Sequence, residues 1–262
     1  MPEWMAIILL GIVEGVTEFL PISSTGHLLI FEQWLPRQDD LFNITIQSGA
    51  VLAVFLIFAK KIRSLVLNFN EPKMQSFALK LIVAFCVTAI GGLVIKKCGI
   101  TLPESALPVV IATVVGGVLI LMVEKILKNK QISEEISWVV AISVGLAQIL
   151  AAIFPGTSRS AATILAAMAL GVARPQATEF SFLLGIPTLF AATALQLFSA
   201  ISKNGFNSIN WAHLILGTVI STITAFLVVK WLLRFIQTHS FIIFGWYRIF
   251  LGIVLLVVLK LF

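Results

Sequence analysis

Long apolar stretches constrain this 262-residue chain more than any other feature. Several run for about 20 residues with few charges, the length that a helix needs to cross the hydrocarbon core of a bilayer. Hydrophobic residues make up 59% of the chain and charged residues 11%, which excludes a water-soluble fold. The stretches are unbroken rather than alternating, so helices are favoured over a membrane barrel. We predict six spans, at 41–59, 76–95, 106–127, 177–200, 211–231 and 241–261.

Two further apolar regions, at 4–31 and 138–171, do not read as simple spans. Proline and a run of hydroxyl residues interrupt the first at 21–26, and a similar polar segment with an arginine interrupts the second at 155–160. Non-helical backbone at membrane depth is tolerated only inside protein or beside water. We therefore predict two re-entrant hairpins, each made of two half-length helices joined by a polar elbow.

The two interrupted regions match each other at one constant offset along the chain. An internal duplication would explain this, with halves at 1–131 and 132–262 that each hold one hairpin and three spans. Three crossings is an odd number, so the second half would be inverted relative to the first, as in many transporters. The fold class expected is an all-α integral membrane protein with an inverted-topology repeat. The matched pairs are Gly11 with Gly145, Glu14 with Gln148, Pro21 with Pro155, Ser23 with Thr157, and Ser24 with Ser158.

The net charge of +6 comes mainly from Lys and Arg in short loops, which favours membrane orientation over nucleic-acid binding as its cause. Most of these residues fall in loops on the face opposite the N-terminus. The positive-inside rule then makes that face cytoplasmic, and the first hairpin opens to the outer side. Cys86 and Cys98 offer neither a disulfide framework nor metal-site spacing.

Glu14 and Glu18 are four residues apart in the first hairpin, so they share one face of a helix. Two carboxylates in an apolar segment are costly unless a cation neutralises them, either an arginine or a divalent metal. Oxygen ligands suit Mg²⁺ or Ca²⁺, and Mg²⁺ is often shared between carboxylates and substrate phosphates. The alternative is that the two groups are protonated or paired for purely structural reasons.

The elbows themselves are suited to an anion. Ser23 and Ser24 follow Pro21 at a predicted helix start, and helix N-termini attract phosphate. The second elbow repeats this arrangement and adds Arg159, whose guanidinium matches phosphate oxygens. An inverted repeat would bring both elbows together near the membrane centre, which predicts a pyrophosphate site. The alternative is helix capping with an Arg–Glu pair that only joins the hairpins.

Other polar residues are assigned with less support from their surroundings. His27 lies three residues after Ser24, and a Ser–His pair beside a phosphate would indicate phosphoryl transfer, although a hydrogen-bonded buried histidine is commoner. Gln47 and Glu179 enter the spans that follow the two elbows, and we expect them to face the same cavity. Arg248, inside the last apolar run, is expected to pair or to snorkel.

The residues quoted above resemble signatures of the undecaprenyl-pyrophosphate phosphatases of the bacitracin-resistance type. Residues 14–27, EGVTEFLPISSTGH, resemble the first signature, residues 155–163, PGTSRSAAT, the second, and residues 179–184, EFSFLL, a third block. The similarity covers the whole chain. One departure is Ala161, where the second signature usually has glycine.

This resemblance implies a bacterial inner-membrane enzyme that removes the terminal phosphate of undecaprenyl pyrophosphate and so recycles the lipid carrier of cell-wall synthesis. It also implies a divalent cation, Mg²⁺ or Ca²⁺, and a site open to the periplasmic side. By position, the metal ligands would be Glu14 and Glu18, and the catalytic residues Ser24, His27, Glu18 and Arg159, with either Ser24 or His27 as nucleophile. The residues expected to bind substrate are Arg159, Ser158, Ser160, Thr163, Ser23, Thr25 and Gln47.

The expected partners are the polyprenyl pyrophosphate and membrane lipids, without nucleic acid, and a homodimer is left open. The main alternative function is a polyprenyl-phosphate flippase that uses the same inverted-repeat cavity. A phosphatidic-acid-type phosphatase would need an Asp partner for its histidine, and the only aspartates, Asp39 and Asp40, lie in a predicted loop.

Overall fold

The computed structural model describes residues 2–98, 106–127 and 132–259. Within these ranges the regular structure comprises eleven α-helices, a 3₁₀ turn at Phe206–Ser208 and one isolated β-bridge between Ser133 and Val172. The prediction of an all-α protein is therefore confirmed. The helices are α1 Glu3–Thr17, α2 Ser24–Phe31, α3 Asp40–Ile57, α4 Ala59–Leu67, α5 Pro72–Lys97, α6 Ala106–Leu127, α7 Trp138–Ile153, α8 Arg159–Ala169, α9 Arg174–Asn204, α10 Trp211–Phe235 and α11 Ile242–Val258.

Five helices in the described part are long and apolar enough to cross a bilayer, namely α3, α5, α6, α9 and α10. The sixth predicted span corresponds to α11, which is apolar but has 17 residues, and the end of that predicted span, 260–261, lies outside the described residues. The first predicted span is shorter than expected, because α3 ends at Ile57 and a separate amphipathic helix, α4, begins at Ala59. These helices make the chain a multi-pass membrane protein.

Both interrupted regions fold as a helix, a break and a second helix, as the sequence predicts. α1 and α2 have 15 and 8 residues and pack against each other, and α7 and α8 have 16 and 11 residues and do the same. Each is too short to cross the bilayer alone, since a span needs about 20 residues. The chain therefore turns back at both elbows, residues 18–23 and 154–158.

Close packing around the first helix of each hairpin follows one pattern. α1 lies against α10 and α7 lies against α5, while α3 contacts α9 and α6 contacts α11. Glycines allow the close approach: a Cβ added at Gly11 would lie 2.9 Å from the carbonyl oxygen of Gly217, and one at Gly145 would lie 2.7 Å from that of Ala84. Small residues at such crossings are typical of membrane helices. The first helix of each hairpin thus packs against a helix of the other half, which agrees with a two-fold repeat. The inverted repeat itself stays a prediction, and its predicted junction borders residues 128–131, which the structure does not describe.

The register between the two elbows differs from the prediction by one residue. Ser23 and Ser158 are both N-caps with positive φ, 74° and 67°, and their hydroxyls accept hydrogen bonds from the amides of Gly26 and Ala161. Ser23 is thus the equivalent of Ser158, and the predicted pairing of Ser24 with Ser158 is wrong. The reason is that the link from proline to cap is one residue shorter in the first elbow.

Candidate active site

The carboxylate of Glu18 joins the two elbows. The Ser24 hydroxyl, at the start of α2, donates a hydrogen bond to Oε2 of Glu18 across 3.0 Å. Nη2 of Arg159, at the start of α8, lies 3.4 Å from Oε1 of the same carboxylate. Glu18 is buried and makes one contact with the first residue of each of the two half-helices. The predicted meeting of the elbows is therefore confirmed.

Hydroxyl groups hold the backbones of the elbows together around this carboxylate. Ser160 donates to the carbonyl oxygens of Glu18 and Leu20, at 3.3 and 3.1 Å. From α6, the hydroxyl of Thr113 lies 3.4 Å from both the Ser23 hydroxyl and the carbonyl oxygen of Gly156. All of these groups are buried, so water does not compete for the bonds. The position of each helix start is consequently fixed relative to the other.

Arg248 is hydrogen-bonded to the backbone of both elbows. Its side chain is fully buried, and it donates to the carbonyl oxygens of Pro21 and Gly156, one in each elbow, at 3.4 and 2.9 Å. Two further bonds reach Thr113 and Ala112 of α6. Of the two expected outcomes for Arg248, pairing and snorkelling, the structure shows pairing, and the partners are backbone carbonyl groups. Arginine alone among the cationic side chains has enough fixed donors to hold so many acceptors at once.

Several buried polar atoms near Glu18 have no protein partner in the described part of the chain. Both oxygens of Glu14, which is fully buried one turn before Glu18, lack a hydrogen bond, and so do Nε and Nη1 of Arg159. The guanidinium also lies over the ring of Phe19, 5.2 Å from its centroid. Buried polar groups are rarely left unpaired, so these atoms are candidates for contact with a ligand. The guanidinium donors suit an anion and the carboxylate suits a cation.

The guanidinium of Arg159 occupies space that is free only because residue 185 is a glycine. A Cβ added at Gly185 of α9 would lie 2.3 Å from Nη1 of Arg159 and 2.9 Å from its Cζ. Any larger residue would push the guanidinium out of this position. Nothing in the local sequence around Gly185 pointed to this role, because its partner is on another helix.

His27 is hydrogen-bonded at both of its ring nitrogens. Its Nδ1 lies 2.8 Å from the carbonyl oxygen of Ser23, and its Nε2 lies 2.7 Å from the hydroxyl of Tyr247 on α11. The hydroxyl of Ser24 is bonded to Glu18 instead. The structure thus shows the commoner alternative, a hydrogen-bonded buried histidine, and the catalytic role of His27 stays a prediction. Tyr247 was missed in the sequence because it is 220 residues from its partner.

The remaining predicted binding residues divide into two groups. Ser158 lies beside Ser160, with 3.1 Å between their hydroxyls, while Thr163 bonds to the carbonyl oxygen of Arg159 and to Ser181. Thr25 is exposed next to Ser24 and Gln47 is half-buried on α3, and the structure gives neither a hydrogen bond to the elbows. Their substrate-binding roles stay predictions.

Glu179 lies away from the two elbows. Its carboxylate lies 3.0 Å from the ammonium of Lys61, and both residues line a separate cavity of about 630 Å³ that no elbow residue lines. The expectation that Glu179 shares the cavity of the elbows is wrong. Glu179 lies in the second turn of α9, where Lys61 of the basic helix α4 is close enough to form an ion pair with it.

The protein's donor set limits the kind of metal that could bind. Within residues 2–98, 106–127 and 132–259, no group of three or more His, Cys, Asp or Glu side chains is placed to hold an ion. The candidate ligands are Glu14, which has no hydrogen-bond partner among the described residues, and Glu18, whose oxygens also contact Ser24 and Arg159. Two carboxylates fit Mg²⁺, which commonly takes its other ligands from water and substrate phosphates. The residues present thus fit a metal that binds together with an anionic substrate.

The fold defines a polytopic membrane protein in which two interrupted helices meet at a buried carboxylate that contacts a hydroxyl and a guanidinium. The family model of the bacitracin resistance protein BacA matches residues 7–254, and the chain belongs to that family. It is 50% identical over 255 residues to the undecaprenyl-diphosphatase of Rhizobium etli strain CIAT 652, covering 97% of this chain and 96% of that relative. It is 48% identical over 257 residues to the undecaprenyl-diphosphatase of Xanthomonas oryzae pv. oryzae strain PXO99A, covering 98% and 97%. The resemblance identified in the sequence is therefore confirmed.

Proposed function

We propose that this protein hydrolyses undecaprenyl pyrophosphate to undecaprenyl phosphate and inorganic phosphate. The relatives named above carry that activity in their names, at about half-identity over nearly the full chain. The observation that carries the proposal is the buried Glu18 carboxylate, which accepts a hydrogen bond from a hydroxyl nucleophile and contacts a phosphate-binding arginine. This combination matches the needs of phosphoryl transfer.

Ser24 is the nucleophile of the proposed reaction. Its oxygen attacks the terminal phosphorus, and its proton passes to Oε2 of Glu18, with which it is already hydrogen-bonded. The bond between the terminal phosphorus and the bridging oxygen breaks, and undecaprenyl phosphate leaves with the electron pair. Ser24 is preferred to His27 because its hydroxyl is bonded to a carboxylate that can take its proton, whereas Nε2 of His27 is bonded to the Tyr247 hydroxyl.

Water completes the cycle. Its oxygen attacks the phosphorus of the phosphoserine, the bond from phosphorus to the serine oxygen breaks, and that oxygen regains the proton held by Glu18. Both hydrogens of the water leave with the inorganic phosphate, and the enzyme returns to its starting state. Throughout, Arg159 opposes the negative charge on the transferred group with the two guanidinium nitrogens that have no acceptor among the described residues.

Glu14 and Glu18 would hold the divalent cation, Mg²⁺ or Ca²⁺, against the pyrophosphate. When bound, the metal supplies positive charge that neutralises the phosphate oxygens and orients them. The orphaned oxygens of Glu14 support this assignment, since an ionised carboxylate buried without a partner is strongly destabilising.

The prenyl chain would stay among the lipid tails while the headgroup enters between the elbows. The location proposed is the bacterial inner membrane, with the pocket open to the periplasmic side, as the loop charges favour. The homodimer left open by the sequence stays a prediction. The flippase alternative gains no support from the relatives above, whose names describe hydrolysis.

The test is phosphate release from undecaprenyl pyrophosphate by the purified protein in detergent, where no second compartment exists. We expect the wild type to release phosphate and Ser24→Ala to lose nearly all activity. Ser202→Ala, which alters an exposed serine near the end of α9, is the matched control and should behave as the wild type. No release by the wild type, or full activity of Ser24→Ala, would contradict the proposal.

A further inference from the structure

The contact between His27 and Tyr247 has no role in the proposed reaction. Tyr247 is the only tyrosine of the chain, and its hydroxyl lies 2.7 Å from Nε2 of His27. The two rings are stacked almost parallel, with 5.6 Å between centroids and 7° between planes. His27 itself is buried, whereas Tyr247 is 40% exposed. The phenol therefore covers the side of the histidine that would otherwise be open.

The two contacts determine which ring nitrogen of His27 carries the proton. A backbone carbonyl can only accept, so Nδ1 must donate its hydrogen to the carbonyl oxygen of Ser23. In a neutral ring Nε2 then has a lone pair and accepts the hydrogen of the Tyr247 hydroxyl. Each of the two bonds thus favours the other.

The position of Tyr247 is itself fixed. The next residue, Arg248, is fully buried and bonded to carbonyl oxygens of both elbows and of α6. These bonds hold this turn of α11 against both elbows and against α6. The phenol therefore approaches His27 from a rigid support.

The bond at Nδ1 connects this pair to the nucleophile. The acceptor, Ser23, has a positive φ of 74°, a conformation that a residue other than glycine adopts only when its surroundings hold it. Ser24 follows directly, and its hydroxyl direction depends on the backbone at Ser23. Through His27, Tyr247 can thus influence where the Ser24 hydroxyl points.

We infer that Tyr247 is a positioning residue that keeps His27 in the Nδ1-protonated state, and that His27 in turn holds the strained Ser23 so that Ser24 bonds Glu18. This inference rests on the proposed function, because it assigns the pair to the alignment of that nucleophile. It also gives His27 a different role from that of a nucleophile.

A double-mutant cycle tests the inference. Tyr247→Phe keeps the stacked ring and removes only the hydroxyl, while His27→Asn keeps a donor close to the Ser23 carbonyl and removes Nε2. We expect Tyr247→Phe to lower kcat roughly five- to tenfold with little change in KM, the effect of one lost hydrogen bond. In the His27→Asn background the same substitution should have no further effect. An equal fold-loss in both backgrounds, or none in the wild type, would overturn the inference.

Nitrogen NMR of ¹⁵N-histidine-labelled protein gives a readout that does not need activity. The chain has three histidines, so His27 can be assigned by its loss in His27→Asn. We expect a protonated Nδ1 and an unprotonated Nε2 in the wild type, with the Nε2 signal shifted in Tyr247→Phe. A protonated Nε2 in the neutral wild-type ring would refute the inference. Activity of the wild type with no loss in Ser24→Ala would instead refute the proposed function.

Discussion

The hydroxyl of Ser24 donates a hydrogen bond to Oε2 of Glu18, while the other oxygen of that carboxylate faces the guanidinium of Arg159. The hydroxyl and the guanidinium belong to the first residues of two half-helices that are far apart in sequence. One carboxylate thus contacts both the nucleophile of the proposed reaction and the cation that would bind its substrate.

Glu18→Gln should nearly abolish phosphate release while the protein still folds. The amide has almost the same shape, but it cannot accept the Ser24 proton and leaves Arg159 without its counter-charge. We expect kcat to fall by about 10³-fold or more, the combined effect of losing a general base and its electrostatic partner. The measurement is steady-state hydrolysis, with Glu135→Gln, at an exposed glutamate, as the control. A loss of less than tenfold would contradict the assignment.

Gly185→Ala should displace the guanidinium of Arg159. The added methyl would lie 2.3 Å from Nη1, so the side chain must move. We expect a loss of about 10²-fold in kcat/KM, comparable to that from removing one charge-stabilising donor. Gly92→Ala is the matched control, since nothing lies within 4 Å of its added methyl. If Gly185→Ala lowered the rate equally in an Arg159→Ala background, the effect would not pass through the arginine.

Arg248→Lys should destabilise the protein and lower its activity together. A lysine keeps the charge but cannot reach the carbonyl oxygens of Pro21, Gly156 and α6 at the same time. We expect a cost of about 3 kcal/mol or more, because buried acceptors lose their donors. Thermal unfolding in detergent measures it, and Arg234→Lys, at an exposed position on α10, should leave Tm unchanged. An unchanged Tm for Arg248→Lys would show that the elbows do not depend on these bonds.

Removal of divalent cations should stop hydrolysis, and adding Mg²⁺ or Ca²⁺ back should restore it. The physical reason is the unpartnered carboxylate of Glu14, which needs a cation when it is ionised. In Glu14→Gln we expect the metal concentration for half-maximal activity to rise at least tenfold. Full activity in excess chelator would exclude the metal site proposed at Glu14 and Glu18.

Much of the site could be predicted from local sequence. Glu14, Glu18 and Arg159 are charged residues within apolar runs, where each needs a partner or a ligand, so their importance follows from the cost of burying charge. The helix breaks follow from proline and hydroxyl residues in the same runs. These signals lie within a few residues of one another and require no knowledge of how the helices pack.

The parts that were missed depend on contacts between distant helices. Tyr247 meets His27 and Gly185 makes room for Arg159 across helix interfaces that no local pattern reveals. The pairing of Ser24 with Ser158 was wrong because the serine N-cap comes two residues after the proline in the first elbow and three residues after it in the second. Glu179 was assigned to the wrong cavity because its ion pair with Lys61 of α4 joins two helices that are distant in sequence.

The most direct test of the central claim is to locate the phosphate on the enzyme during turnover. Purified protein mixed with undecaprenyl pyrophosphate would be quenched in parallel in acid, where phosphoserine survives, and in base, where phosphohistidine survives, and its peptides analysed by mass spectrometry. We expect a phosphate on Ser24 in the acid-quenched sample and none in Ser24→Ala. A phosphate on His27 in the base-quenched sample, with Ser24 unmodified, would contradict the account.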